Sequence, residues 1–542
     1  MNSPSEVHSP ASSRSDSLSA GETDSSEISS WTAWLALLII ALVRIPFLLV
    51  HPLQEDAYIT FRAARHLAEN GDFSFNLHQH FPGTTSLLYP LIVAAIDLLL
   101  HPFMILGVQI FGTLCIAAAS YLIAAALCSN QREQPAVWLL TACWPISLVM
   151  SYSGMETSLL ALVLAAALFA LARGSHWTLF AVSVLLLPLV RPDAVAYGLL
   201  FCAAMFFIDR RAALRGTLSL ATGCGLFLLG TRVTTGQFLP ATARAKEIAY
   251  HPSHSLAAVA ARIHDLFLGQ SFLLPTTSTY LVKLSPIVLI VVVAAFILAF
   301  HFAHSRRERI VLGTLAAATI AIPLAYAYGG VVFAWYLFPA NWLAIAVTFA
   351  VAVRIVTKLR FRMAGAALLA LIGIGLIFMQ WTKAFVAATE DYHYRGDIGR
   401  YLGAVSHGQG TLFLEPAGLI PYFSGLRTDD EVGLVSSRVT DFMKQDPVAW
   451  WFDYVAGVQP DYIVQRQSFD HYRTFENYTL TPDQQRWFAA HYRLIRRVHY
   501  VPATYHSSHL LQRILAMGPL ENYLVYERRD LLGDRTPGPQ LH

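Results

Sequence analysis

The sequence predicts an α-helical polytopic membrane protein, about eleven transmembrane helices followed by a C-terminal extracytoplasmic α/β domain. Three observations predict it. Hydrophobic residues make up 55% of the 542 residues and charged residues only 13%, where a soluble domain carries roughly a quarter; mean hydropathy is +0.48. Apolar stretches of roughly 15 to 26 residues recur across 31–383, separated by short charged connectors. From residue 384 onward the chain returns to ordinary polarity. These features exclude a soluble enzyme, a nucleic-acid binder and an outer-membrane barrel, whose strands would alternate polar and apolar residues. The net charge of +3 is too small to call for a polyanionic partner.

Residues 1–30 are Ser-rich and carry Glu6, Asp16, Glu22, Asp24 and Glu27 against Arg14. Such a segment cannot bury a core and is expected as a disordered cytoplasmic tail. It lacks the basic start of a cleaved signal, so the first apolar run, 31–50, stays as an anchor. Further runs cover 86–100, 103–128, 136–150, 157–172, 176–190, 194–208, 214–230, 284–303, 309–328, 333–353 and 363–383.

The connectors set orientation. Arg132; Arg173; Arg210, Arg211 and Arg215; Arg306, Arg307 and Arg309; and Arg354, Lys358, Arg360 and Arg362 fall in alternate connectors, which the positive-inside rule places in the cytoplasm. Parity then removes run 86–100, which is short and interrupted by Pro90. It is expected as a juxtamembrane or re-entrant segment, tolerated where protein covers its backbone, and as a candidate wall of an outer site. The N-terminus is inside and the C-terminus outside. Twelve spans with both ends outside is the alternative, and it puts the 51–85 loop in the cytoplasm.

The expected domains are therefore the tail 1–30, a membrane domain 31–383 with outer loops 51–102 and 231–283, and a soluble α/β domain 384–542. In the last, TLFLEPAGLIPYFSG (411–425) reads as strand, turn, helix, while PDYIVQR (460–466) and ENYLVYERR (521–529) read as further strands. An Asn477-Tyr-Thr sequon reads as chance. The five cysteines, Cys115, Cys128, Cys143, Cys202 and Cys224, lie in or beside apolar runs without metal-ligand spacing and read as small buried residues.

Ionisable residues collect at the outer ends of the spans. Glu55 and Asp56 are adjacent just after the first span; Tyr58, Phe61, Arg62, Arg65, His66 and Glu69 follow at spacings of three and four. This predicts an amphipathic helix lying on the membrane. The acidic pair can hold a divalent cation, Mg²⁺, Mn²⁺ or Ca²⁺, or take a proton beside an anionic lipid head; the bland reading is a solvated helix cap. Glu156 either acts in the site or caps the helix after it, and Arg191 with Asp193 either acts or forms a local ion pair. Arg244 and Lys246 suit a lipid phosphate or bulk anionic lipid equally well by spacing. Arg44, inside the first span, snorkels or faces a polar cavity. Tyr326, Tyr328, Trp335 and Tyr336, around Gly329–Gly330, read as an interfacial aromatic belt.

In order, EDAYITFRAARHLAENGDFSFN, PGTTSLLYPL, SGMETSLLAL, RPDAVAYG and TTGQFLPATARAK resemble successive motifs of membrane glycosyltransferases of the GT-C fold. The nearest resemblance is to the arabinofuranosyltransferase branch typified by mycobacterial AftB, with its related bacterial pilin glycosyltransferases. EPAGLIPYFSGLRTDDEVGL is similar to that family's outer α/β domain, where an acidic residue with Ala-Gly precedes an Ile-Pro-Tyr segment. The resemblance spans roughly 40–540 as ordered motifs.

The resemblance implies transfer of a sugar from a polyprenyl-phosphate donor to a cell-envelope glycan or protein acceptor, on the outer face of the bacterial inner membrane. The family's acidic pair falls on Glu55 and Asp56; Asp is common in the family where Glu55 stands. It implies Asp56 as the general base or a metal ligand. The family's loop lysine falls on Lys246, which would hold the lipid phosphate. Pro240-Ala241-Thr242 stands where the family commonly has Pro-Asn. Arg62, Arg191 and Arg244 are added phosphate-binding candidates from charge and location; Glu156, Asp193, Arg44 and His66 are further site candidates. The competing classes are a transporter or flippase for a lipid-linked precursor, which would place ionisable residues at mid-membrane in inverted repeats, and a receptor whose outer domain binds glycan without chemistry.

Overall fold

A computed structural model describes residues 19–174, 176–269, 285–359, 362–466, 479–499 and 522–534. The membrane domain opens with α1 (Ser19–Val50), α2 (Ala57–Asn70), α3 (Leu88–Leu100), α4 (Met104–Leu127), α5 (Gln134–Cys143) and α6 (Pro145–Tyr152). α7 (Thr157–Arg173), α8 (Trp177–Val190), α9 (Val195–Phe206), α10 (Arg210–Thr235), α11 (Ala241–Tyr250) and α12 (Leu256–His264) follow. α13 (Ser285–Phe302), α14 (Arg306–Gly329), α15 (Ala334–Val356) and α16 (Arg362–Ala387) complete it. By length and composition seven of the described helices can cross a membrane, and eight if the bent pair α5–α6 is one span. The expected count of about eleven is not reached on that measure, because α7, α8 and the 192–206 segment are apolar but only 10–17 residues long. α7 is largely buried among its neighbours, whereas α8 buries one face, with Phe180, Val184 and Leu187, and exposes Trp177 and Val182.

Two local features depart from the expectation. Run 136–150 is not one helix: it bends by 62° between α5 and α6. Pro145 begins α6, and its missing N–H and fixed φ cannot continue α5. The tail does not stay irregular throughout, since α1 already begins at Ser19; residues 1–18, like Asn477, lie outside the described residues.

α2 turns its apolar face to protein. Its first two turns, Ala57 to Ala64, are buried, because the helix packs between α3 and the C-terminal domain. The amphipathic pattern is real, but its apolar face meets protein. α3, 13 residues long, packs on α2 and α4. Tyr89 at its start donates to the Gly154 carbonyl at 2.8 Å.

In the C-terminal domain, α17 (Gly396–Ser406) leads into a five-stranded mixed sheet of order β2-β1-β3-β5-β4. β1 (Thr411–Leu414), β2 (Arg427–Asp430) and β3 (Tyr462–Arg466) are parallel, whereas β5 (Tyr523–Arg528) runs antiparallel to β3 and to β4 (Tyr492–Val498). The expected strand-turn-helix at 411–425 is β1 followed by α18 (Leu419–Ser424). Strand alternation divides the core. Leu412, Leu414, Tyr462, Val464, Tyr523 and Val525 pack with Ile398 and Leu402 of α17. Phe413, Ile463 and Leu524 pack with Trp450, Trp451 and Tyr454 of α20 (Trp450–Val458) and Phe488 of α21 (Pro482–His491). The remaining helix is α19 (Arg438–Gln445). Edge strand β4 exposes Arg493, Arg496 and Arg497, charges that discourage further strand pairing. All five cysteines are free, four of them buried.

Candidate active site

The site forms where the C-terminal domain meets the bundle. A cavity of about 380 Å³ opens there, lined by Asp56, Thr60, Glu156, Arg191, Asp193 and Lys246, with Tyr326, Trp335 and Tyr336 on one wall and Leu434 of the C-terminal domain on another. The segment Gly83, Thr84 and Thr85 closes a further side. Gly83 adopts φ +70°, and a Cβ there would meet Ile59 at 3.0 Å and Val435 at 3.1 Å, so only glycine makes this turn between α2 and the C-terminal domain.

Asp56 reaches the cavity because α2 starts immediately after it. Burial raises its pKa above the usual carboxylate range, the charges of Lys246 and Arg395 pull it down, and Glu415 pushes it up; the net direction is upward. Lys246 projects from α11, and its Nζ donates to the Tyr336 hydroxyl at 2.7 Å. It also sits 4.9 Å from the Phe333 ring centroid and 5.4 Å from that of Tyr336. Among the described residues it forms no ion pair, so its charge faces the cavity.

Glu156 and Arg191, both buried, and half-buried Asp193 form a network on the same wall. Arg191 donates to both oxygens of Asp193 at 3.0 and 2.7 Å, lies 3.6 Å from Glu156, and stacks 4.9 Å over the Tyr336 ring. The Tyr326 hydroxyl donates to Asp193. Burial raises the Glu156 pKa, and Arg191 opposes it. One cation with two carboxylates spends its charge inside the network.

Glu55 points elsewhere. Its Oε1 accepts from the backbone N–H of Gly418 at 2.5 Å and of Leu419 at 3.0 Å. Burial pushes its pKa up to about 8, with Arg395 lowering it and Asp56 and Glu415 raising it. It couples the membrane domain to the turn after β1. A Cβ on Gly418 would lie 2.0 Å from the Glu55 carbonyl oxygen, so this approach requires glycine.

The remaining candidates lie off the cavity. Arg62 donates to the carbonyls of Phe75 at 2.9 Å, Pro421 at 2.6 Å and Leu426 at 2.7 Å; its fork pins α2 to the C-terminal domain and is not free for a phosphate. Arg244 is exposed on the opposite face of α11 beside Asp441 and Lys444, since residues two apart on a helix do not share a face. His66 contacts the Ser74 carbonyl at 2.9 Å. Arg44 neither snorkels nor meets the cavity. It donates to Ala142 O at 2.7 Å, a carbonyl left without a helical partner where α5 ends.

The aromatic residues around Gly329–Gly330 divide. Tyr326, Trp335 and Tyr336 line the cavity, whereas Tyr328 is exposed. Motif reading left Arg395 and Glu415 unassigned; both act electrostatically on Asp56. For Glu415 the available signal was its place in the EPAG motif.

A cation held between Glu55 and Asp56 would take Glu55 through Oε2, because Oε1 accepts from two backbone N–H groups. Among the described residues, three ligating side chains within reach of one ion occur at Glu69, Asp97 and His101. There the Arg65 guanidinium, 4.0 Å from Glu69 and 3.9 Å from Asp97, already supplies positive charge.

Residues 384–514 match a family described as a domain of unknown function, DUF8728. No curated protein matches the chain. Among solved structures, the chain is similar to the archaeal oligosaccharyltransferase AglB from Archaeoglobus fulgidus in complex with an inhibitory peptide and a dolichol-phosphate. The TM-score is 0.55 at 12% identity, over 82% of this chain and 70% of that one. It is also similar to ArnT from Cupriavidus metallidurans bound to undecaprenyl phosphate, with a TM-score of 0.52 at 11% identity, over 93% and 100%. A third is the Archaeoglobus fulgidus oligosaccharyltransferase in complex with Zn and sulfate, with a TM-score of 0.53 at 11% identity, over 81% and 68%. At these identities the likeness is one of fold. The chain has the fold of the GT-C membrane glycosyltransferases, a multi-pass helical domain carrying a C-terminal α/β domain with a small sheet.

Proposed function

We propose that the chain transfers a sugar from a polyprenyl-phosphate donor to a hydroxyl of a cell-envelope glycan or protein, at the domain end of the bundle. The observation that carries this reading is that Asp56 and Lys246 line one cavity where the bundle meets the C-terminal domain. Neighbours of the same fold are described with dolichol-phosphate or undecaprenyl phosphate, which supports a lipid-phosphate donor. The order of motifs supports the finer reading of an arabinofuranosyl donor.

In this reading the donor's lipid tail stays in the bilayer and its phosphate sits at the interface beside Lys246. Asp56 accepts the proton of the acceptor hydroxyl, and the raised pKa favours that uptake. The acceptor oxygen forms a bond to the anomeric carbon as the bond from that carbon to the phosphate oxygen breaks. The electron pair leaves with the phosphate, whose growing charge Lys246 stabilises with the Tyr336 hydroxyl fixing its direction. The Glu156–Arg191–Asp193 network holds the wall rigid at no net cationic gain. The site faces the outer side of the bacterial inner membrane, and the C-terminal domain lies in the periplasm.

The test is a panel of polyprenyl-phosphate sugars assayed with purified protein and with Asp56→Asn. Transfer from one donor, lost at least about a hundred-fold in the variant while expression and folding persist, supports the proposal. Undiminished transfer by Asp56→Asn removes Asp56 as the base, and no transfer from any donor refutes the reaction class.

A further inference from the structure

A second, larger cavity of about 820 Å³ lies at the opposite end of the bundle. α7, α14 and α15 reach both cavities: Glu156, Gly329 and Trp335 flank one end of these helices at the first, while Arg173, Arg307 and Arg354 mark the other end at the second. Four cations line the second cavity, Arg173, Arg307, Arg354 and Lys358, against two carboxylates, Glu133 and Glu308.

Neither carboxylate neutralises them. Glu308 is held in the capping box of α14, where it accepts from the backbone N–H of His304 at 2.8 Å and of Ser305 at 3.4 Å. Glu133 accepts the Thr357 hydroxyl at 3.5 Å. Among the described residues none of the four cations forms an ion pair within 4 Å.

The cations are nonetheless held in place. Arg173 donates to Ala125 O at 2.7 Å and Arg307 to Arg173 O at 3.1 Å. Arg354 and Lys358 lie 5.0 and 5.4 Å from the same Phe302 ring. Like charges gathered in a concavity repel unless an anion joins them. The wall behind them is apolar, formed by Ala299, Val311, Val347 and Val351. Positive charge at the mouth and hydrocarbon between helices match a phosphate headgroup with its acyl chains.

We propose that this cavity binds one anionic phospholipid, its phosphate among Arg173, Arg307, Arg354 and Lys358. The site is separate from sugar transfer, and its occupant enters from the leaflet opposite the catalytic cavity.

The test titrates phosphatidylglycerol into the purified, delipidated full chain and reads retained lipid by native mass spectrometry. The wild-type chain retains phosphatidylglycerol, and phosphatidylcholine does not displace it. Arg354→Gln with Lys358→Gln weakens retention about thirty-fold, the share of two cations near a lipid surface. Lys358→Gln alone weakens it about five-fold, which keeps the test alive if the double variant misfolds. Arg354→Lys retains the lipid. Arg210→Gln with Arg211→Gln removes equal charge outside the cavity and leaves retention within about two-fold. Asp56→Asn protein binds like wild type, so failure of the transfer reading leaves this result standing. An equal loss in the Arg210/Arg211 variant would assign binding to diffuse surface charge and overturn the proposal. Displacement by inorganic phosphate, or unchanged retention in the Arg354/Lys358 variant, would overturn it as well.

Discussion

The Glu55 carboxylate and the Gly418 backbone meet at 2.5 Å across 363 residues of sequence. This one contact joins the loop after the first span to the turn after β1. It sets Asp56, the next residue, against the cavity, so the geometry of the proposed base depends on a glycine in the other domain.

Gly418→Ala should therefore act at a distance. The added methyl cannot fit 2.0 Å from the Glu55 carbonyl, and relieving such overpacking costs about 1–3 kcal/mol. Limited proteolysis should cut the chain near 384–410 sooner in the variant, and sugar transfer should fall with it. Unchanged protease resistance and activity would mean that Glu55 does not fasten the two domains.

Burial gives the same contact a pH dependence. Its cause raises the folded-state pKa of Glu55 from the ordinary 4.5 to about 8. A raised value means that the folded state holds the proton more tightly, so this stabilisation is complete below the unfolded value and is lost as pH climbs through the folded one. Docking of the two domains should weaken as pH rises from about 4.5 to about 8. Glu55→Gln mimics the protonated acid and should flatten that slope between about pH 4.5 and about pH 8, read as the thermal midpoint of the purified protein. An equal slope in the Gln variant would assign the dependence to another group.

Lys246 carries the clearest kinetic expectation. If it steadies the departing phosphate, Lys246→Gln lowers kcat about a hundred-fold or more, the usual consequence of removing a donor aimed at developing charge. KM for the lipid donor should change less. Tyr336→Phe leaves the ammonium in place but removes the partner at 2.7 Å, so its effect on kcat should be smaller. A change confined to KM in Lys246→Gln would make the residue a ground-state anchor.

How far the sequence foretold this arrangement depends on distance along the chain. The long apolar runs and the strand-turn-helix of 411–425 follow from local pattern, as does the helical phase of α2. Even the split between Lys246 and Arg244 was available, because 241–250 forms one helix and residues two apart must diverge. Arg62 was not legible: two of its three carbonyl partners lie 359 and 364 residues away, and its charge alone resembles a phosphate ligand. Tyr326 and Tyr336 have the composition of an interfacial belt, and only the folding of α14 against α15 stacks them at 5.2 Å inside the cavity.

Arg191 should prove structural before it proves kinetic. It is 4% exposed and balances Glu156 and Asp193. Arg191→Ala strands the buried Glu156 carboxylate beside half-buried Asp193, a change that costs about 3 kcal/mol, read as a drop in the unfolding midpoint. Arg191→Met with Glu156→Gln removes charge from both sides and should recover part of that loss. If the single variant unfolds normally while KM for the donor rises, Arg191 binds substrate directly.

Orientation supplies the last prediction. The connectors with Arg173, Arg307, Arg354 and Lys358 gather around one cavity, while Asp56 and Lys246 line the other. Dense positive charge resists translocation, so the first end should remain cytoplasmic and the second should face outward with the C-terminal domain. A reporter fused after residue 358 should be active in the cytoplasm, and one fused after 383 should be active outside. α16 is the helix that separates these points, so the pair tests a single crossing. A cytoplasmic signal from both fusions would place the C-terminal domain on the inner side. Asp56 would then lie on the wrong face for an outer-leaflet donor, and the proposed direction of transfer would fall with it.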